Sequence, residues 1–280
     1  MYLSDRLIVV DSERRRCDSG GMQAPANILA PSSLFDAADW YDRTINWSAR
    51  LGREIPALSE VFGPPAPGGL LDAGCGTGHQ AAALAKLGYR VVGADANESM
   101  LSVARQTIAK EKADVRLVRA SYAELCQALG TGFDGVYCLG NSLAAAGTRE
   151  SVRMAVEQFA KCLRPGGKLF IQVLNFERMR KEVPCVQDPR VARVDGLEYV
   201  SVRQFHFVED WVQVTNITVW SDNGWHKRAH AGRLYPVTCD ELRLWCHDAG
   251  IRTDHAWGGY TREAFSAERA IDLVLVGTRI

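Results

Sequence analysis

No two of the eight cysteines stand at CxxC spacing, which removes the common zinc-ligand and dithiol motifs. Cys17, Cys75, Cys126, Cys138, Cys162, Cys185, Cys239 and Cys246 are scattered singly and read as reduced thiols, so neither a metal nor a disulfide framework is expected. Long apolar runs are missing too, none approaching the roughly 20 residues that cross a bilayer. The apolar stretch in MYLSDRLIVVDSERRRC is too short and too interrupted for a secretory signal. The cytoplasm is therefore the expected compartment, with no membrane partner. Excess charge is also lacking, since 33 basic residues balance 33 acidic ones. A polyanion-binding surface needs local positive charge, so nucleic acid is not an expected partner. There is no internal repeat and no low-complexity segment.

What remains is a chain of 280 residues, 47% hydrophobic and 24% charged, enough to bury a core without staples. Arg14, Arg15 and Arg16, followed by Ser19-Gly20-Gly21 and Pro25, suggest a solvated arm. Over 34–61, Trp40, Ile45, Trp47, Leu51, Ile55 and Leu58 recur at helical spacing until the run FGPPAPGG breaks the pattern. Strand and helix signals then alternate. Strands are expected over 70–73, 90–94, 115–119, 133–139 and 168–174, with helices over 79–87, 99–112, 122–129 and 149–163. Strands joined by helices of this length imply a parallel sheet covered on both faces. The rhythm changes at LEYVSVRQFHFV, WVQVTNITVWS and GWHKRAHAGRLY, whose separating turn residues predict an inserted antiparallel meander. A helix over 238–249, capped by Thr238 or Asp240 and stopped at Gly250, precedes two strands near 251–256 and 271–277.

The segment LLDAGCGTGH follows a strand and opens a helix, the setting in which a glycine-rich loop holds a ligand. Glycine permits the turn and lets a ligand lie against the backbone, and the helix N-terminus beyond supplies free N–H donors. Asp95 ends the VVGAD strand, about 20 residues on, where a carboxylate can accept hydrogen bonds from both ribose hydroxyls. A nicotinamide dinucleotide would also use such a pair. Two features favour S-adenosylmethionine instead. The spacing is GxGxG, and Asp72 lies just before the loop, where an acid repels pyrophosphate and attracts an ammonium or sulfonium centre. Cys75 within the loop needs no chemistry of its own.

LLDAGCGTGHQAAALAKLGYRVVGADANESML and LRPGGKLFI resemble the class I S-adenosylmethionine-dependent methyltransferases. Within that class, Tyr41-Asp42-Arg43 with Trp47, then Cys138-Leu139-Gly140-Asn141-Ser142, Asn175-Phe176 and Arg233-Leu234-Tyr235-Pro236, are similar to segments of glycine and sarcosine N-methyltransferases. The resemblance implies an α/β fold: a Rossmann-like seven-stranded sheet with helices on both faces, an N-terminal lid helix and an inserted antiparallel β-meander. It implies that Gly74, Gly76 and Gly78, with Ala73 and Asp72, cradle the methionine part of the cofactor. Asp95 would hold the ribose, Ala96 and Met100 would border the adenosine, and Ser121 and Tyr122 would contact adenine. The Leu139 carbonyl would meet the methionine ammonium, and Tyr41 and Trp47 would form a lid. Asn141 and Tyr235 are the expected acceptor-contacting, catalytic residues. One position departs: Leu174 stands where glycine methyltransferases carry a carboxylate-gripping arginine, which argues against glycine as acceptor. Arg178, Arg203 and Arg233 are the candidates to replace that charge.

The expected organisation is a flexible arm over 1–30 and one methyltransferase domain over 31–280. Within it lie a lid helix (34–62), a cofactor-binding core (70–175), inserted strands (190–236) and a closing helix with strands (237–280). The arm and the inserted strands are the surfaces through which a homo-oligomer would form. The expected reaction moves a methyl group in line from S-adenosylmethionine to a small molecule, an amine nitrogen first among the candidates, leaving S-adenosylhomocysteine. The alternatives are O-methylation in secondary metabolism and, disfavoured, a nicotinamide-dependent oxidoreductase. An amine arriving deprotonated needs no strong base, whereas a hydroxyl more often does. His206, His226, His230 and His255 are candidate bases, each with a plain structural role as the competing reading. Phe205, Phe207, Trp211, Trp220 and Trp225 are read as packing rather than as a cation cage.

Overall fold

A computed structural model describes residues 38–280 apart from Thr44, Val183 and Asp195. The arm expected over 1–30 and the first residues of the expected lid helix lie outside the described residues. The rest of that helix is two helices, α1 (Ala38–Arg43) and α2 (Trp47–Phe62). The break has a local cause: Asn46 leaves helical geometry, and its side chain accepts from the Ala49 N–H at 3.1 Å, capping α2. Apolar periodicity cannot see such a restart, because the apolar residues on either side of it still recur at helical spacing in the sequence.

The main sheet contains β1 (Leu70–Ala73), β2 (Val91–Asp95), β3 (Val115–Arg119), β4 (Phe133–Cys138), β5 (Leu163–Leu174), β11 (Ile251–Trp257) and β12 (Asp272–Arg279). Their order is β3-β2-β1-β4-β5-β12-β11, and β12 alone runs against its neighbours. The fully buried pattern of β1 and the apolar run of β5 suit strands covered on both faces. One face is covered by α6 (Arg149–Cys162) and α8 (Cys239–Asp248), through Val152, Phe159, Leu242 and Trp245. The other is covered by α2 and α3 (His79–Lys86), through Ala57, Leu58, Ala81 and Leu84. Next to α3 lies α4 (Glu98–Glu111), and the short α5 (Leu125–Leu129) precedes β4. The strand order reverses between β1 and β4, so the loops leaving their C-terminal ends diverge and open a crevice there.

The inserted meander is present as β8 (Leu197–Val208), β9 (Trp211–Ser221) and β10 (Trp225–Leu234). Two short strands that the sequence reading did not separate, β6 (Cys185–Val186) and β7 (Arg190–Val194), pair with β8. A further short helix, α7 (Phe176–Met179), begins at Asn175, whose amide group bonds three carbonyls of the 266–270 segment. Phe176 and Met179 seat the meander through Phe205, Val212, Val214 and Leu234. Phe207 lies under the Arg180 guanidinium at 4.9 Å, Trp211 under that of Arg233 at 5.0 Å, and Trp225 is 81% exposed. These aromatics are thus spread over separate contacts rather than gathered into one cage.

Candidate active site

The C-terminal ends of β1, β2 and β4 bring together the 74–78 loop, Asp95 and the 139–142 turn. The three loop glycines are required for three different reasons. Gly74, at φ +85°, sits against Ser142 and Tyr122. An added Cβ would lie 2.2 Å from Ser142 Oγ and 2.7 Å from the Tyr122 hydroxyl. Gly76, at φ +53°, has nothing within 4 Å of that position, so its open side faces free space. Gly78, at φ +79°, lets the start of α3 approach Ala104 of α4, 3.1 Å from where a Cβ would be. Ala73 is buried at the end of β1.

Asp95 ties this loop to the end of β2. One carboxylate oxygen accepts from the Gly76 N–H at 2.9 Å and the other from the Asn97 N–H at 2.8 Å. Burial raises its pKa, and these two N–H groups oppose that shift. Each oxygen keeps further lone-pair capacity for a diol. Ala96 is exposed beside it, while Met100 is buried with Val103 beneath Ala38 of α1, with Tyr41 packed alongside.

Asp72 is 3% exposed, and one of its oxygens has no hydrogen bond. Tyr137, its register partner on β4, turns its hydroxyl toward the carboxyl without a well-formed bond. Burial, with Asp95 and Glu54 nearby, pushes the carboxyl up to about 8. An acid whose pKa rises on folding keeps its proton in the fold while the unfolded chain loses it. Its contribution to stability therefore falls as pH climbs from about 4 to about 8. The melting temperature of Asp72→Asn relative to the native protein is expected to rise between pH 5 and pH 8. A difference independent of pH contradicts this environment for Asp72.

The lid residues are tied to this edge. Trp47 stacks on His79 with ring centroids 4.0 Å apart, and His79 Nε2 pairs with Asp42 at 2.8 Å. The Tyr41 hydroxyl accepts from Arg50 Nη1 at 3.2 Å. Arg50 was not singled out from the sequence. Its guanidinium donates to Glu54 at 2.8 Å, lies 5.1 Å from the Trp47 ring centroid and approaches Gly140 closely. Glu54 is itself buried and also accepts from Gln80 at 2.8 Å and Tyr260 at 3.3 Å. The missed signal was polarity on an apolar stripe, since Arg50 and Glu54 share a helical face with Trp47 and Leu58.

The turn after β4 is held from several sides. Gly140 N–H donates to Gln172 at 2.8 Å, and Gln172 donates to Asp272 at 2.8 Å. Asn141 adopts φ +68°, a conformation asparagine tolerates, and its side-chain oxygen accepts from the Leu174 N–H at 3.2 Å. The Leu139 carbonyl accepts from Ser142 N–H at 3.2 Å, which leaves it one lone pair. Ser121 caps the turn carrying Tyr122, bonded to Glu124. The Tyr122 hydroxyl points inward, 2.7 Å from Ser142 Oγ and 3.4 Å from Cys138 Sγ. Tyr235 is buried, and its hydroxyl donates to Glu241 of α8 at 2.6 Å. Both expected catalytic residues thus carry side-chain bonds to the fold. Cys75 is buried, and burial with Asp72 and Asp95 raises its thiol well above the ordinary range, which keeps it protonated and unreactive. Among the described residues no cluster of His, Cys, Asp and Glu is arranged to hold a metal, and no helix is long and apolar enough to cross a membrane.

This edge suits a ligand with positive charge and a diol. Asp72, Asp95 and Glu54 surround a loop with an open glycine, one buried Asp72 oxygen is unpartnered, and Arg50 supplies a cation for an acidic end. A family model described as a methyltransferase domain matches residues 70–167. Glycine/sarcosine N-methyltransferase of Parasynechococcus marenigrum is 28% identical over 228 residues, covering 81% of this chain and 78% of that protein. Glycine N-methyltransferase of Rattus norvegicus is 36% identical over 119 residues, covering 39% of this chain and 41% of that protein. A sugar N-methyltransferase from a Streptoalloteichus species superposes with a TM-score of 0.70 at 20% identity, covering 93% of this chain and 99% of that one.

Proposed function

The chain is a class I S-adenosylmethionine-dependent methyltransferase, and from that premise we propose that its acceptor is a small-molecule amine. The observation that carries the donor site is the buried, unpartnered oxygen of Asp72 behind an open glycine loop. Burial keeps that carboxyl protonated in the free protein, and a cationic ligand beside it would favour its ionised form. When bound, S-adenosylmethionine supplies a sulfonium methyl, displaced in line by an acceptor lone pair as the carbon–sulfur bond breaks and its electrons stay on sulfur.

The chain's own residues then have separate tasks. Asp72 and the Leu139 carbonyl would hold the methionine ammonium of the bound cofactor, Arg50 its carboxylate, and the 74–78 backbone the chain between. Asp95 accepts from the ribose hydroxyls. Ala96, Met100, Ser121 and Tyr122 border the adenosine, the last through its ring because its hydroxyl is turned inward. Tyr41 and Trp47 cover the site and exclude water, which strengthens its electrostatics. Asn141 fixes the end of β5 through the Leu174 N–H, and Tyr235 is held in place by Glu241. Both are positioning residues in this reading.

An amine is supported by the names of relatives, a glycine/sarcosine N-methyltransferase and a sugar N-methyltransferase. It is also the acceptor that asks least of the protein, because a neutral nitrogen attacks without a base and its product ammonium releases a proton to solvent. The test is a methyl-transfer screen over small amines, amino acids and phenols, read by S-adenosylhomocysteine release. Turnover is expected with at least one amine. Turnover with phenols alone, or none while the cofactor binds, overturns the amine reading.

A further inference from the structure

The inner face of the meander changes character along its length. Side chains alternate across a strand, so Phe205 and Arg203 of β8 point to the same side, as do Val214 and Asn216 of β9. At Phe205 and Val214 that face is apolar and packs on α7. Beyond it the paired residues turn polar: Arg203 opposite Asn216, and Ser201 opposite Thr218, whose hydroxyls are 2.8 Å apart. Arg190 of β7, register partner of Ser201, lies on the same face. A polar patch on the inward side of a sheet calls for a partner.

That patch lines a cleft with Tyr41 of the lid, and Gln187. Arg203 has no carboxylate or hydrogen-bonded partner for its guanidinium among the described residues, whereas Arg178 has Glu182 as an ion-pair partner at 3.6 Å, though its buried Nε makes no hydrogen bond, and Arg233 stacks on Trp211. Burial, with Arg190 and Arg50 nearby, lowers the Arg203 pKa, and Tyr41 opposes that shift. An added anion would relieve this crowding of positive charge. Asp188 also borders the cleft, and it forms no ion pair with either arginine. The buried side-chain oxygen of Gln187 lacks a hydrogen-bond partner, so it can accept from an N–H. Tyr41 touches both this cleft and Arg50, which joins the cleft to the donor site.

We propose that Arg203, assisted by Arg190, binds a carboxylate on the methyl acceptor while Gln187 accepts from its amine, so that the acceptor is an amino acid. Arg203 thereby takes over, from a different strand, the charge that Leu174 does not provide. The inference rests on the amine reading above, and its test separates the two. The native enzyme, Arg203→Met, Arg203→Lys and Gln187→Leu are assayed with S-adenosylmethionine against α- and ω-amino acids, each paired with its primary amide. The native enzyme is expected to prefer the acid over its amide by at least tenfold in kcat/KM. Arg203→Met should raise KM for the acid thirtyfold or more, leave the amide unchanged and leave cofactor affinity unchanged, with Arg203→Lys recovering part of the loss. Titration of the S-adenosylhomocysteine-loaded enzyme with the same pairs should show the same preference without turnover. Equal use of acids and amides, or an unmoved KM in Arg203→Met, overturns this subsite and leaves the amine reading standing. Absence of transfer to every amine overturns both.

Discussion

Replacing Asp95 with alanine is expected to weaken S-adenosylmethionine binding by about a hundredfold or more. The carboxylate holds Gly76 and Asn97 through their N–H groups and, in the proposed pose, accepts from the ribose as well. Hydrogen bonds to a charged group are each worth roughly 1.5–3 kcal/mol, so losing two costs about 3 kcal/mol or more, which is at least two powers of ten in affinity. Asp95→Asn keeps one acceptor oxygen and should fall between the two. Calorimetry on variants with native melting behaviour reads the difference directly. An alanine variant whose Kd lies within about threefold of native would remove Asp95 from the site.

Gly74→Ala is expected to be the most destabilising substitution in the loop. The left-handed backbone costs an L-residue roughly 1–2 kcal/mol. The new methyl would meet Ser142 Oγ at 2.2 Å and Ser142 Cβ at 3.0 Å, an overpacking worth roughly 1–3 kcal/mol. Together these predict a loss of about 2–5 kcal/mol, or about 4–20 °C in Tm for a domain of this size. Ser142→Gly combined with Gly74→Ala should recover the Ser142 share of the steric cost and leave the Tyr122 contact at 2.7 Å and the backbone part. Gly76→Ala has the same positive φ but open space around it, so it should cost only the backbone part. Equal losses at Gly74 and Gly76 would show that the Ser142 contact does not govern the loop.

The sheet was legible because its strands and helices keep separate periods and the glycine loop punctuates them sharply, although β5 begins at Leu163 and runs through RPGG rather than starting at the expected residue 168. The meander was legible for the same reason, turn residues between alternating runs. The division of α1 from α2 was hidden because a single capping asparagine, Asn46, leaves the helical spacing of the apolar residues intact. The strands β6 and β7 were hidden because two to five residues carry too little pattern to distinguish from a loop. At the site, glycines and the acids at strand ends announced themselves by position. Arg50, Glu54 and Gln80 did not, because their meaning depends on burial between elements distant in sequence. Arg203 was one of three arginines set against Leu174, and sequence had no means to rank them. Strand register ranks them: it turns Arg203 inward toward the lid, while Arg178 and Arg233 meet neighbours of their own.

The most direct test of the donor site is hydrogen exchange with and without saturating S-adenosylmethionine. The account predicts slowed exchange in peptides covering 74–78 and 95–100, where the open glycine loop and the Asp95 turn meet the ligand, together with the lid around Trp47. Cofactor binding that leaves those peptides unprotected, or protects only segments elsewhere, would contradict it.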